Sequence, residues 1–321
     1  MSPYTPRKFS LPADYCFTAQ GDIDAYIFPE EAVIAVDVAL VTRRPLLVAG
    51  PPGCGKSRLA ETMAAVLRWN FLQQTITSRT RVEQLTVEVD HLRRLNDAYR
   101  AASPKAKALD RDEEYYNPGI FWWAFDQQSA RRRGLPSDAK PRLAPRFPGI
   151  RRRPKGQAQH TVLLIDEIDK AEPDLPNDLL EPLDRRSFGL PDGRTLAADP
   201  QQKLLTIVTT NRERELPQAF LRRCVSLLLE EPDLERLIAI ARVRAPAVDG
   251  ELTRRIADKM IELREQRRDS GQRSPGTSEF LDAVRTCHDL GIGVDSEAWQ
   301  QVERATLCKP MVAQDEHSQR S

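Results

Sequence analysis

Long hydrophobic runs, a leader-like segment and an excess of either charge are all missing from this sequence. Its 48 basic and 47 acidic side chains leave a net charge of +1, so nucleic-acid or membrane binding would need a local patch. The longest apolar run, Val33–Val41, is interrupted by Asp37 and is too short to span a bilayer. Residues 1–17 contain no apolar core followed by a cleavage site, so we expect neither a secretory signal nor a membrane partner.

Paired cysteines are missing too. The five cysteines are scattered, with no CxxC pair and no histidine at metal-ligand spacing. Reduced thiols are therefore expected, as in the cytoplasm, and we expect the protein to be cytoplasmic.

Short apolar segments alternate with helical patterns as far as residue 231. Buried strands are predicted at Pro45–Ala49, Phe71–Thr77, Thr161–Ile165 and Leu204–Thr209, because parallel strands covered on both faces are continuously apolar. Strands alternating with helices predict an α/β fold with a doubly wound parallel sheet.

Beyond Asp233 the pattern is helical only, which predicts a separate small bundle. The predicted organisation is an N-terminal extension with disorder (1–25), an α/β nucleotide-binding domain (26–231), a helical domain (232–310) and a disordered tail (311–321).

A basic segment, Arg131–Lys155, interrupts the α/β pattern. Ten basic side chains against Asp138 give it a net charge of +9, and it holds five prolines and little apolar material. We predict a flexible insertion over residues 126–160 that is dispensable for basal activity. Nucleic-acid binding is the alternative, but Phe147 is its only aromatic residue.

The segment after the first predicted strand matches the pattern G-x-x-x-x-G-K-[ST]. Glycines let backbone N–H groups curl toward phosphate oxygens, and the next helix adds its positive N-terminal end. Lys56 is expected to reach the β- and γ-phosphates, and the Ser57 hydroxyl is expected to ligate Mg²⁺. A preceding strand and a following helix favour this interpretation over a chance turn. The predicted nucleotide-binding residues are Gly50, Pro51, Pro52, Gly53, Cys54, Gly55, Lys56 and Ser57.

Polar residues end two further predicted strands. Asp166 follows Thr161–Ile165 and is expected to hold Mg²⁺, while Glu167 is expected to deprotonate the attacking water. Asp169 and Lys170 are interpreted as surface or helix-start residues. Asn211 follows Leu204–Thr209 and is expected on the same sheet edge, where it can position the water.

Together these motifs resemble the MoxR-like, dynein-related branch of AAA+ ATPases. The likeness covers residues 26–285 and rests on the order of the motifs. After the phosphate loop these are Leu163–Lys170, Asn177–Asp184, a hairpin segment Ser187–Leu196 with an Asp192-Gly193 turn, Thr210-Asn211, and Ala219–Cys224.

The resemblance implies an AAA+ module with a C-terminal helical lid that binds ATP and Mg²⁺. It implies a homo-oligomeric ring, usually a hexamer, in which Arg223 or its neighbour Arg222 is the arginine finger of the adjacent subunit. Asn211 corresponds to the sensor-1 residue, and Tyr26–Phe28 corresponds to a segment near adenine. MoxR-like proteins are commonly paired with von Willebrand factor A-domain proteins, which makes a protein partner the expectation.

Two further segments need an interpretation of their own, the one around Ser274-Pro275 and the aromatic segment Phe121–Phe125. MoxR-type lids usually carry an arginine directly after Ser-Pro, whereas Ser274-Pro275 precedes Gly276 here; we interpret Arg273 as an exposed loop charge rather than its substitute. Phe121–Phe125 is predicted to be a helix with its rings in the core rather than a substrate-gripping loop.

Three functions follow, with the first favoured: an ATP-driven ring that remodels a protein partner, a nucleic-acid-directed motor related to restriction-type AAA+ proteins, and a slow nucleotide-controlled switch or scaffold. The net charge does not favour nucleic acid, and the acidic residue at 167 argues against an inactive switch.

Overall fold

The computed structural model of the chain describes residues 16–18, 24–101, 111–151, 160–270 and 273–308. The strands in chain order are β1 (Cys16–Phe17), β2 (Tyr26–Ile27), β3 (Leu46–Ala49), β4 (Asn70–Thr75), β5 (Val87–Val89), β6 (Tyr116–Pro118), β7 (Thr161–Asp166), β8 (Ser187–Gly189), β9 (Thr195–Ala197), β10 (Leu204–Thr210) and β11 (Val225–Leu228).

The helices in the same order are α1 (Glu30–Thr42), α2 (Lys56–Leu67), α3 (Val82–Leu85), α4 (His91–Ala101), α5 (Ile120–Phe125), α6 (Gln127–Arg131), α7 (Leu175–Asp178), α8 (Leu180–Arg185), α9 (Gln218–Leu221), α10 (Leu234–Arg244), α11 (Gly250–Ser270), α12 (Thr277–Leu290) and α13 (Glu297–Thr306). No helix in the described ranges is long and apolar enough to cross a membrane.

A five-stranded parallel sheet in the order β11-β3-β10-β7-β4 organises the α/β part of the chain. Its three central strands are almost wholly buried, as the apolar runs predict. The register pairs Thr210 with Ala49 and Thr75 with Asp166, so the carboxyl ends of these strands share one edge. The predicted α/β class, a parallel sheet flanked by helices, is confirmed.

The helix α5 lies in the core of this part. All six of its residues are buried, including Trp122 and Trp123. Phe125 and Phe188 lie 6.0 Å apart by ring centroids, and the tilted arrangement is favourable for aromatic pairs. The prediction that Phe121–Phe125 is a core helix is confirmed.

The predicted turn at Asp192-Gly193 is also confirmed, since it joins β8 to β9 with Gly193 at a φ of 84°.

The basic segment contacts the α/β part of the chain at a few points, and Arg133, Gly134, Leu135 and Phe147 are its buried residues within 131–151. Phe147 is buried, with its ring 5.5 Å from that of Trp123. Ile150 forms a two-way backbone bridge with Phe71 at 2.9 Å in each direction. Gly149 is required there, since a Cβ would lie 2.2 Å from the Phe71 carbonyl oxygen. These contacts anchor parts of residues 131–151 to the first unit. The flexibility of the predicted insertion over residues 126–160 stays a prediction, and residues 152–159 lie outside the described part.

Arg133 is a buried basic side chain of this segment. Its guanidinium donates to the carbonyl oxygens of Tyr116 and Leu143, the latter at 3.0 Å, and to Asn117 Oδ1 at 3.0 Å. Burial lowers the pKa of Arg133, and the hydrogen bonds compensate the desolvated charge. The flexible insertion was predicted from the +9 charge, the five prolines and the scarcity of apolar residues, none of which reveals these hydrogen bonds.

The chain folds into two compact units. Phe28–Ala49 and Lys56–Leu228 form the first unit, while Cys16–Ile27, Gly50–Gly55 and the chain from Leu229 form the second. In the second unit α10 to α13 enclose their own apolar core, which contains Ile256, Phe280 and Trp299.

The N-terminal boundary differs from the predicted one. Part of the predicted extension is ordered, because Cys16–Phe17 pairs with Tyr26–Ile27. Arg244 binds Asp24 at 2.6 Å and Arg236 donates to the Ile27 carbonyl at 3.0 Å, which anchors the β2 segment to α10. The predicted tail, 311–321, lies outside the described residues.

Candidate nucleotide site

The loop after β3 has the backbone that its glycines predict. Gly53 and Gly55 adopt φ values of 80° and 96°, in the left-handed region that side chains disfavour. A Cβ at Gly50 would lie 2.4 Å from the Leu229 carbonyl oxygen, so this position also excludes a side chain. Successive N–H groups in such a conformation make an anion-binding concavity.

Two other segments of the second unit approach this loop, which belongs to the same unit. A Cβ on Gly55 would lie 3.3 Å from the Tyr26 ring, and one on Gly53 would lie 3.2 Å from the Cα of Gly276. The ring of Tyr26 therefore lies beside the phosphate-loop glycine, and Gly276 closely approaches the loop backbone. Arg273 forms an ion pair with Glu279 at 3.2 Å and is mostly exposed.

Ser57 and Asp166 meet in the first unit. The Ser57 hydroxyl lies 2.9 and 3.0 Å from the two carboxylate oxygens of Asp166. Ser57 is at the start of α2 and Asp166 is the last residue of β7, so the shared sheet edge brings together residues that are 109 positions apart. Gln73 Nε2 is a further neighbour of this carboxylate, at 3.4 Å.

Thr209 connects Asp166 to Glu167, a contact that the sequence analysis missed. The fully buried Thr209 hydroxyl donates to Asp166 Oδ1 at 2.5 Å and accepts the backbone N–H of Glu167 at 2.9 Å. Glu167 has a φ of 60°, which is unfavourable for a residue with a side chain and persists only when its surroundings fix it. A threonine inside an apolar strand gives no sequence signal of this role, because it is also a common strand former.

Glu167 is paired with Lys170 across one turn. Lys170 Nζ donates to Glu167 Oε2 at 2.8 Å, and this hydrogen bond raises the pKa of Lys170. Both side chains remain partly accessible. Lys170 is thus a contact of the predicted base and not only a surface residue.

Asp169 is buried in the first turn of a short 3-10 helix, Ile168–Lys170, so of the two interpretations offered it is a helix-start residue and not a surface residue. Its Oδ2 accepts the backbone N–H groups of Asn211 and Glu213, each at 3.0 Å. Asp169 therefore fixes the chain that leaves β10, where Asn211 lies. The Asn211 amide donates to Glu213 Oε1 at 3.2 Å.

Arg222 and Arg223 follow α9 and are exposed. Their carbonyl oxygens accept hydrogen bonds from Arg44, and Arg223 Nε lies 3.4 Å from Asp184. None of these contacts includes Ser57, Asp166 or Glu167, so within one chain the structure does not bring the two arginines to the predicted site.

The residues present fit a magnesium nucleotide. A hydroxyl and a carboxylate at 2.9 Å offer the hard oxygen ligands that Mg²⁺ prefers. Lys56 begins α2 directly after the glycine loop, where an ammonium group and the helix start both favour phosphate. Within the first unit, Ser57 and Asp166 would hold the cation and Lys56 would contact the phosphates.

A parallel sheet with a glycine-rich loop after one strand and an Asp-Glu pair after another defines the P-loop NTPase class. The family model described as AAA domain (dynein-related subfamily) matches residues 45–224, more than half of the chain. The chain belongs to this subfamily and is an AAA+ ATPase, a class that in general binds ATP with Mg²⁺ and assembles into oligomers. A comparison with the curated proteins finds no match.

Proposed function

We propose that the protein is a MoxR-like AAA+ ATPase, a cytoplasmic homo-oligomeric ring, in the usual case a hexamer, that uses ATP hydrolysis to remodel or activate a protein partner. The observation that carries the proposal is the hydrogen-bonded series Ser57–Asp166–Thr209–Glu167. It joins the proposed metal ligands to the proposed base through one buried hydroxyl.

Each residue of the proposed site has a separate role in ATP hydrolysis. Bound Mg²⁺ would neutralise phosphate charge as it develops. Lys56 and the loop N–H groups orient the phosphates, and Glu167 Oε2 takes the proton of the attacking water. Lys170 donates to Glu167 Oε2, and the carboxylate retains further acceptor sites for the attacking water.

A ring is supported by the exposure of Arg222 and Arg223, which makes them available to a neighbouring subunit. The proposed partner class, a von Willebrand factor A-domain protein, rests on the likeness to MoxR-like proteins alone. Nucleic-acid translocation is the weaker candidate, because the net charge of the chain is only +1 and Phe147, the one aromatic residue of the basic segment, is buried.

Replacing Glu167 tests the proposed enzyme. We expect Glu167→Gln to retain ATP binding and to lose turnover by at least about 100-fold, as expected for removal of a general base. Glu172→Gln, an exposed nearby carboxylate, is the matched control and should retain wild-type turnover. Phosphate release measures turnover and calorimetry measures binding. Near-normal hydrolysis by Glu167→Gln would remove this residue from the mechanism.

Partner class is tested on the wild-type protein. Adding purified von Willebrand A-domain protein should change ATP turnover, whereas DNA and RNA at low salt should not. A several-fold stimulation by nucleic acid that falls steeply with salt would replace the proposal with the motor.

A further inference from the structure

The connection between α1 and β3 contacts the end of α9 through the side chain of Arg44. Its guanidinium donates through Nε to the Arg223 carbonyl oxygen at 3.0 Å and through Nη2 to the Arg222 carbonyl oxygen. The partners lie 179 and 178 positions away in the chain, and all three residues belong to the first unit. One side chain therefore holds two consecutive carbonyl groups, because the donors of a guanidinium form a rigid fork.

The two carbonyl groups belong to the turn that ends α9. The helix covers Gln218–Leu221, and Arg222 is its C-terminal cap. Carbonyl groups at a helix end lack partners within the helix and need donors from elsewhere. Directly after the turn, the Val225 N–H donates to the Pro45 carbonyl oxygen at 2.8 Å, where β11 begins to pair with β3. Arg44 and Pro45 thus fix the backbone of the turn at two neighbouring places.

The side chains of this turn are exposed, although its backbone is held. Arg223 Nη1 donates to the Ala219 carbonyl oxygen at 3.0 Å, and Arg223 Nε lies 3.4 Å from Asp184. Both members of this ion pair are exposed, so water screens their attraction and the pair is easily exchanged. The Arg223 guanidinium can therefore leave these contacts while Arg44 keeps the backbone from which it extends in place.

Charge alone does not explain an arginine at position 44. Arg222 and Arg223 carry the same charge as Arg44 and repel it. The hydrogen bonds from Arg44 to the two carbonyl oxygens offset this repulsion. A lysine would carry the same charge, but its donors sit on a single nitrogen and lack the rigid fork that matches two carbonyl groups.

We propose that Arg44 is a positioning residue for ATP hydrolysis, which holds the Arg222–Arg223 turn so that an arginine of this turn reaches the nucleotide of the adjacent subunit. This inference rests on the proposed function, because it assigns the support of the arginine that completes the shared site. Donors stabilise charge in a transition state when they are already in position, and a displacement of about 1 Å can cost about 100-fold in rate. Since Arg44 donates to both carbonyl groups, it supports whichever arginine reaches the neighbour.

Single variants separate position from charge. Arg44→Ala and Arg44→Lys should both lower kcat at least about tenfold, since neither keeps the two fixed contacts. The Kd for ATP should stay unchanged, because the phosphate-binding residues are intact. Arg43→Ala removes the adjacent exposed charge and is the matched control, which should keep the wild-type kcat. Phosphate release measures kcat and calorimetry measures Kd. A wild-type kcat in either Arg44 variant would overturn the proposal.

A double-mutant cycle tests whether Arg44 acts through the turn. The variant Arg222→Ala/Arg223→Ala lacks both candidate side chains, and its slow residual turnover is followed with radiolabelled ATP. Adding Arg44→Ala to this variant should lower the residual turnover no further, because residues that act as one unit are not additive. A further loss as large as that of Arg44→Ala alone would mean that Arg44 supports another part of the protein, and it would overturn the proposal.

Mixed rings separate this inference from the proposed function. Arg44→Ala mixed with Glu167→Gln should recover turnover, since some interfaces then combine an intact Glu167 with a supported arginine. Arg44→Ala mixed with Arg222→Ala/Arg223→Ala should not, and recovery there would overturn the positioning role. The third mixture pairs Arg222→Ala/Arg223→Ala with Glu167→Gln. Recovery in it together with additive losses in the cycle rejects the role of Arg44 alone. No recovery in it together with a non-additive cycle rejects the sharing of the site between subunits alone.

Discussion

A single hydroxyl, that of Thr209, bonds to both acidic residues of the proposed catalytic pair. It donates to Asp166 and accepts from the Glu167 backbone, so it fixes the cation ligand and the base in relation to each other. The left-handed backbone of Glu167 makes this contact more important, because a residue there would otherwise relax toward a more favourable φ.

We predict that Thr209→Val lowers ATP turnover roughly 10- to 100-fold, because a small misplacement of a reacting group can cost that much. ATP affinity should change little, since the phosphate loop is untouched. Thr206→Val makes the same chemical change on the same strand and should keep wild-type turnover. Measuring kcat and KM separately checks the assignment. An unaltered kcat in the Thr209 variant would mean that the hydroxyl is structural only.

At the scale of elements, residues 131–151 show how a basic, proline-containing segment can be anchored to a folded domain. Phe147 and Leu135 supply buried apolar surface, the bridge at Ile150 extends the sheet contact, and Arg133 ties the segment to Tyr116. Deleting the segment is therefore expected to unfold the first unit rather than to leave basal activity unchanged.

Arg133→Ala should lower the free energy of unfolding by about 2 kcal/mol, because buried carbonyl oxygens lose their donors. Arg146 is exposed on the same segment, and Arg146→Ala should change stability by less than about 0.5 kcal/mol. Urea unfolding followed by circular dichroism compares them. Equal stabilities would show that the Arg133 hydrogen bonds contribute nothing net.

At the scale of the whole molecule, we propose that the site is completed by another copy of the chain. Arg223 is exposed, and its guanidinium is held by Asp184 and the Ala219 carbonyl, both contacts that a neighbouring subunit can replace. An arginine that meets charge developing in the transition state can contribute about 10³–10⁵ in rate.

Mixing two inactive proteins tests this arrangement. Arg223→Ala and Glu167→Gln should each be inactive alone, yet a mixed ring holds interfaces with an intact Glu167 on one side and an intact Arg223 on the other. Recovered ATP turnover is expected. Arg222→Ala, mixed in the same way, decides between the neighbouring arginines. Absence of recovery despite demonstrated co-assembly would falsify action in trans.

The sequence alone determined the α/β class, the central strands and the α5 core helix. Those features depend on local periodicity, on continuous apolar runs and on glycines with special backbone needs, all of which are set by neighbouring residues. The motif spacing also predicted which residues the strand ends would carry, and their roles stay predictions.

Tertiary structure decided the rest, because it depends on partners far apart in the chain. Thr209 joins Asp166 across 43 positions, and Asp169 is buried by backbone groups beyond β10. The Arg133 guanidinium donates to two backbone carbonyl oxygens, and composition cannot reveal these contacts. The orientation of α4 was equally hidden, since an amphipathic pattern specifies two faces but not which one meets the domain. The hydrogen bonds from Arg93 to Glu114 and from Tyr115 to Asp97 determine which face of α4 meets the domain.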